Sequence, residues 1–343
     1  MDDAPTHMAA EIGQTPAVVQ RLLAEERPAI ADLGRRLRDL DPAVVVTCAR
    51  GSSDNATAYF KYLCEILCGV PVASIGPSVA SVYRAPLKLS RAVVISVSQS
   101  GQSPDIVALQ AAARQAGAFS IALVNQPGSP LAETADALVP LHAGPEQSVA
   151  ATKSCIASAV ALAALVAEWI GDDQLRGALE RLPDALAATL ACQWSEAHDS
   201  FVAAKSAYVI GRGPALPVAA EAALKLKETA VLHAEAFSGA EVMHGPLQLL
   251  HDGFPVIAFR QRDASYDAMG ESIARLRAAR GRVFEATSAG GPSDSLEVAT
   301  AHHPMLDPLP MLLSFYAFAE GVARARGHDP DHPSLLRKVT ETL

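Results

Sequence analysis

Glu221, Lys225 and Glu228 stand at i, i+4 and i+7 in the run Glu221-Ala222-Ala223-Leu224-Lys225-Leu226-Lys227-Glu228, so on a helix they share one face. A carboxylate in this apolar setting can carry a proton. It can also be the ordinary ion-pair partner of Lys225 or Lys227, and the spacing alone leaves both readings open. The next tract, Gly239-Ala240-Glu241-Val242-Met243-His244-Gly245-Pro246, puts His244 beside a glycine and a proline, which is a loop position. An imidazole titrates near neutrality and suits proton transfer. A loop histidine held only by hydrogen bonds is the alternative.

A second constellation lies earlier, at Ser96-Val97-Ser98-Gln99-Ser100-Gly101-Gln102-Ser103-Pro104-Asp105. It follows the apolar run Ala92-Val93-Val94-Ile95 and precedes a helical pattern from Ile106 to Ala112, which predicts a strand, a hydroxyl-rich turn and a helix. Free N–H groups at a helix N-terminus hold anions. The serines add neutral donors, and Gly101 permits close backbone approach. No Lys or Arg lies in the loop, so the anion is held by neutral donors and the helix dipole. A phosphate monoester on a small metabolite fits this description. A capping turn with Ser103 as N-cap and Pro104 at the first helical position needs one serine, not four.

The elements that must position these residues read as an alternation of strands and helices. Met8 to Leu40 reads as two amphipathic helices broken at Pro16 and Pro28. Val44 to Ala49 reads as a strand running into Arg50-Gly51-Ser52-Ser53, with a helix to Cys68. Short strands are predicted near Val72–Ile75, Val93–Val97, Ser120–Val124 and Ala137–Val139. The pattern recurs: Ser206 to Gly213 restates Val44 to Gly51, and Phe254 to Phe259 restates the strand before the serine loop. In place of those serines the second copy has Arg260-Gln261-Arg262-Asp263. The expectation is an α/β protein of two tandem domains, each a parallel, doubly wound, flavodoxin-like sheet flanked by helices. Their bounds are 41–171 and 198–330, with an N-terminal helical segment at 1–40 and a C-terminal tail at 331–343.

Composition narrows the classes. The 343 residues suffice for two domains, and half are apolar. A net charge of −9 with no basic run argues against nucleic acid. The cysteines at 48, 64, 68, 155 and 192 form no CxxC pair, which reads as a reducing, cytoplasmic setting. No signal peptide is read at the N-terminus. The apolar stretch Cys155–Ile170 reads as too short for a membrane span and as a buried helix. No ligand set for a metal is recognisable, and His302-His303 reads as a surface pair.

Taken together, these segments resemble tandem sugar-isomerase (SIS) proteins of the glucosamine-6-phosphate synthase isomerase-domain group. The resemblance rests on Arg50-Gly51-Ser52-Ser53, Ser98 to Ser103, Val149-Ala150-Ala151-Thr152-Lys153, Ala223 to Glu228, His244-Gly245-Pro246 and Lys338. It implies that Ser52, Ser53, Ser98, Gln99, Ser100 and Ser103 bind the sugar phosphate, and that Val149 and Ala151 line the sugar. It implies that Glu228 moves a proton between C1 and C2, with Lys225 as its helix neighbour in the site. It further implies that His244 opens the ring from the partner subunit of a homodimer, and that Lys338 sits on a tail closing over the substrate. Ala151 stands where the synthases commonly have a serine, and Met243 where they usually have a lysine.

The synthases carry a glutaminase domain ahead of this unit, and residues 1–40 hold no cysteine. The chain is therefore expected to use no glutamine and to run the deaminating reaction; enediol chemistry with a carboxylate base needs no cofactor, and the charge and the apolar stretch discussed above predict contact with neither nucleic acid nor membrane. It most resembles SIS-type glucosamine-6-phosphate deaminases, which convert glucosamine 6-phosphate and water to fructose 6-phosphate and ammonia. The alternatives are another phosphosugar, such as galactosamine 6-phosphate or a fructosamine 6-phosphate, or a non-catalytic phosphosugar-binding regulator. A regulator needs the serine loop but has no use for Glu228, His244 and Lys338 together.

Overall fold

A computed structural model describes residues 5–288 and 295–338. It contains two parallel five-stranded sheets flanked by helices, as the alternating pattern predicts. In chain order the elements are α1 (His7–Leu40), β1 (Val44–Cys48), α2 (Ser52–Leu63), β2 (Val72–Ser74), α3 (Ser78–Ser81), β3 (Ala92–Ser98), α4 (Pro104–Gln115), β4 (Phe119–Val124), α5 (Pro130–Glu133), β5 (Ala137–Pro140) and α6 (Lys153–Ile170). Then follow α7 (Asp173–Thr189), α8 (Ser195–Ala203), β6 (Ser206–Gly211), α9 (Ala215–Ala230), β7 (His233–Ser238), β8 (Pro255–Phe259), α10 (Tyr266–Ala278), β9 (Arg282–Thr287), β10 (Leu296–Glu297) and α11 (Pro308–Ala325).

The first sheet has the order β2-β1-β3-β4-β5 and the second β10-β9-β8-β6-β7. Counted from its own first strand, each sheet reads 2-1-3-4-5, so the internal repeat seen in the sequence is a repeat of topology. All described pairings are parallel. The central strands are buried on both faces, which is why Val93–Val97 and Val256–Phe259 read as continuous apolar runs.

The chain divides into two compact units. One holds residues 17–146 and 153–180, with the first sheet; the other holds residues 5–16, 147–152 and 181–338, with the second. In the first, α6 packs on α2, and all but two of its eighteen residues are buried. At that length it is long and apolar enough to cross a membrane, contrary to the sequence reading, yet its apolar surface is already covered by protein. In the second unit, α9 packs against α11 and β7.

One element departs from expectation. The break expected at Pro16 and Pro28 does not occur, and α1 is a single helix of 34 residues. A proline inside a helix costs about 3 kcal/mol. Met8, Ile12, Val18, Val19, Leu22, Ile30, Leu33 and Leu37 are buried along its length. Each contributes about 1.5–3 kcal/mol, so burial outweighs both prolines.

Candidate functional site

In the first unit the order of strands reverses direction between β1 and β3, where ligands of such sheets sit beyond the carboxyl ends. The register pairs Cys48 with Ser96, which sets Arg50-Gly51-Ser52-Ser53 level with Ser98-Gln99-Ser100. Helices α2 and α4 both begin at this crevice, so the positive ends of two helix dipoles point the same way. Gly101 has φ +63°, and a Cβ there would come within 2.0 Å of Ser129 Oγ. Its N–H donates to Ser98 Oγ at 3.1 Å, and its carbonyl accepts from Leu131 N at 3.1 Å. The carbonyl of Gln99 accepts from Asn125 N at 3.1 Å, and Ser100 Oγ accepts from Gln102 N at 3.3 Å. Ser103 occupies the N-cap position of α4 but makes no side-chain cap bond, so capping does not account for it.

The nearest cation on these loops is already neutralised. Arg50 donates to the buried Asp105 through Nε at 2.8 Å and through Nη2. Besides that ion pair, the two loops carry serine hydroxyls and the N-termini of α2 and α4. Burial pushes the Cys48 thiol, at the end of β1, up to about 12. It is a packed, neutral group and not a nucleophile.

In the second unit, α9 carries the paired charges. Lys225 is 1% exposed and contacts Glu228 Oε2; its Nζ lies 3.4 Å from Glu221 Oε1. Tyr316 of α11 donates to Glu221 Oε1 at 3.0 Å. Glu221 and Lys225 are closed in, whereas the side chain of Glu228 is 24% exposed. The end of α9 is fixed by Arg326, which donates to the carbonyls of Ala230, Val202 and Ala204 at 2.8–2.9 Å. Glu228 faces a cavity of about 420 Å³, whose walls include Lys227, Thr229, residues 327–329 and residues 332–336.

The segment carrying Val149 and Ala151 is tied to the same tail. Val149 N donates to Asp331 O at 3.2 Å, and Ser148 Oγ to Pro330 O at 3.4 Å. Lys338 Nζ donates to Ser148 O at 2.6 Å. The Asp331 carboxylate accepts from the N–H groups of His7 and Met8, so it also caps α1. Lys338 and Val149 are therefore tied into one tail assembly, and Ala151 follows Val149 by two residues. His244 is separate: it is exposed, follows a short 3₁₀ turn at Glu241–Met243, and is not a wall of the Glu228 cavity.

Sequence reasoning missed two parts of this arrangement. Tyr316 lies 95 residues from Glu221 and carried no local signal. Asp329 and His332, at i and i+3, are hydrogen-bonded at 3.0 Å and line the Glu228 cavity; their spacing was visible in the sequence but their cavity was not. Among the described residues no group of three His, Cys, Asp or Glu could hold a metal ion. His303 Nδ1 accepts from Met305 N at 3.2 Å.

Two sheets of one order, each repeating a strand, a glycine turn and a helix at its switch point, define a tandem, doubly wound α/β architecture. The SIS domain family matches residues 42–168 and 200–283, and the chain belongs to that family. A solved protein from Silicibacter pomeroyi DSS-3, provisionally assigned as a phosphosugar isomerase, is 46% identical with a TM-score of 0.91, covering 95% of this chain and 100% of its own. A glutamine–fructose-6-phosphate aminotransferase (isomerizing) of Thermus thermophilus is 32% identical over 361 residues, covering 97% of this chain; the chain spans 58% of that relative's length. Glucosamine-6-phosphate deaminase of Thermotoga maritima superposes with a TM-score of 0.77 at 18% identity, covering 98% of this chain and 100% of its own, which shows the fold alone.

Proposed function

We propose that this chain is a phosphosugar isomerase that deaminates an amino-sugar phosphate, with glucosamine 6-phosphate as substrate and fructose 6-phosphate and ammonia as products. The observation that carries the reading is Glu228. It is the one carboxylate of the α9 cluster that reaches a cavity large enough for a hexose, while Lys225 holds it from behind. The phosphate contacts are assigned, on the family resemblance, to Ser52, Ser53, Ser98, Gln99, Ser100 and Ser103. Relatives named glutamine–fructose-6-phosphate aminotransferase (isomerizing) carry the proposed product, fructose 6-phosphate, in their name, with glutamine as the nitrogen source.

The chemistry follows from the residues. Opening of the pyranose delivers a proton to the ring oxygen, the role proposed for His244 of the partner subunit in a homodimer. Glu228 removes the C2 proton of the open aldose and returns it at C1, which turns the 2-amino aldose into a ketose imine. Water then adds at C2 and ammonia leaves. Lys338 holds the tail against the Ser148 carbonyl while the sugar is enclosed.

The test is a coupled assay of ammonium and ketose phosphate across a panel of phosphosugars, without glutamine, metal or nucleotide. Glucosamine 6-phosphate is expected to yield both products in equal amounts. Glu228→Gln should lower kcat about 10²–10⁴-fold and stop solvent deuterium exchange at C2. Ketose phosphate formed without ammonium, from a sugar lacking nitrogen, would make the chain a plain aldose–ketose isomerase. Tight phosphosugar binding with no turnover would make it a regulator.

A further inference from the structure

Deamination needs one proton relay more than aldose–ketose isomerisation. After the C1–C2 shift, water must lose a proton as it adds to the C2 imine, and the nitrogen must gain one to leave as ammonia. Glu228 is engaged by the carbon acid. The cavity it faces has a second acid–base group on its tail wall, formed by Asp329 and His332, with Nδ1 of the imidazole 3.0 Å from Asp329 Oδ2.

The pair is built to act in one direction. Burial works against the Asp329 carboxylate, but the N–H of Asp331 at 2.9 Å and the His332 imidazole together hold its pKa below the ordinary carboxylate range. An ionised carboxylate only accepts hydrogen bonds, so the proton of the neutral imidazole must be on Nδ1. The Nε2 lone pair is left free to act as a base. The His332 side chain is 73% exposed, so water reaches it, unlike the closed Lys225 cluster. The other charged or titratable groups on the cavity walls are Lys227, Glu228 and His328. Of the two histidines there, His332 is the one held by a carboxylate.

Resting on the deaminase reading above, we infer that the Asp329–His332 pair is the acid–base group of the hydrolytic half-reaction. His332 Nε2 takes a proton from water as the C2–O bond forms and passes it to the imine nitrogen, giving a neutral carbinolamine. It then takes the carbinolamine hydroxyl proton as the C2 carbonyl forms and passes it to nitrogen as the C2–N bond breaks, so that ammonia departs. No oxidant or other co-reactant enters. Asp329 positions the imidazole and does not itself touch the substrate.

The experiment separates the two half-reactions. Glucosamine 6-phosphate is incubated in deuterium oxide with the full-length protein, and C2 deuteration and ammonium release are followed together. His332→Gln should lower ammonium release about 100-fold. C2 exchange and KM should stay within about threefold, so exchange events per ammonium released rise about 100-fold. Asp329→Asn should show the same split to a smaller degree. Glu228→Gln should lose exchange and ammonium together. If His332→Gln leaves both rates unchanged, or lowers both in the same proportion, the inference is overturned while the deaminase reading stands. If the wild-type protein releases no ammonium from any amino-sugar phosphate, the reading fails and the inference with it.

Discussion

Replacing Lys225 by methionine keeps the length and packing of the side chain and removes its charge. Glu221 is 1% exposed, Lys225 is the cation paired with it, and the Tyr316 hydroxyl that it also accepts from is neutral. Breaking a buried pair in this way costs about 3–5 kcal/mol. A ceiling follows from proton linkage. The stranded carboxylate can take up a proton instead of remaining charged, and from an unfolded reference near 4.3 this costs about 1.4 kcal/mol per pH unit, or about 3.7 kcal/mol at pH 7. The sign is fixed: the folded variant binds a proton that the unfolded chain has released. The deficit against wild type should therefore shrink as pH falls, to about 1 kcal/mol at pH 5. Urea titrations of wild type and Lys225→Met at both pH values measure it. Trp194, packed against Phe259, Phe315 and Phe318, reports on this unit by fluorescence once Trp169, which lies in the other unit, is replaced by phenylalanine in both proteins. The double variant Glu221→Gln/Lys225→Met should recover most of the loss. A deficit under about 1 kcal/mol at pH 7, or one that does not change with pH, would refute the buried charge cluster.

Ser98→Ala, Ser100→Ala and Ser103→Ala should each raise KM, because a neutral donor lost to a charged phosphate costs about 1.5–3 kcal/mol, roughly ten- to hundredfold; steady-state kinetics with one phosphosugar checks all three. Gly101→Ala should weaken phosphosugar binding more than any of these, since a Cβ at φ +63° meets Ser129 Oγ at 2.0 Å and must displace the loop; isothermal titration with the Glu228→Gln background measures it without turnover. Mixing Glu228→Gln with His244→Ala chains should restore about a quarter of full activity in randomly formed dimers, because half are hybrids with one intact site of two. Proven subunit exchange with no recovery would place both residues in one chain's site.

Much of the fold was legible because buried parallel strands are short apolar runs ended by turn residues, and that signal is local. The runs ending at Cys48, Ser98, Val124, Gly211 and Phe259 are strands in the structure, and the repeat of the first copy by the second became a repeat of sheet order. The Glu221, Lys225 and Glu228 spacing was likewise legible, since one helix face is set by the chain itself. Pro16 and Pro28 misled because a helix break is a local preference of a few kcal/mol, and burial along the whole of α1 overrides it.

What the sequence determined by itself was therefore the local content: the strands, the hydroxyl-rich turn, and the kinds of group available for phosphate binding and proton transfer. Only tertiary structure decided which groups work together. Tyr316 meets Glu221 from another helix, Lys338 reaches the Ser148 carbonyl from 190 residues away, and the tail brings Asp329 and His332 to the cavity of Glu228. The physical reason is that a carboxylate's state depends on its burial and its partners, and both are properties of packing that no local spacing encodes.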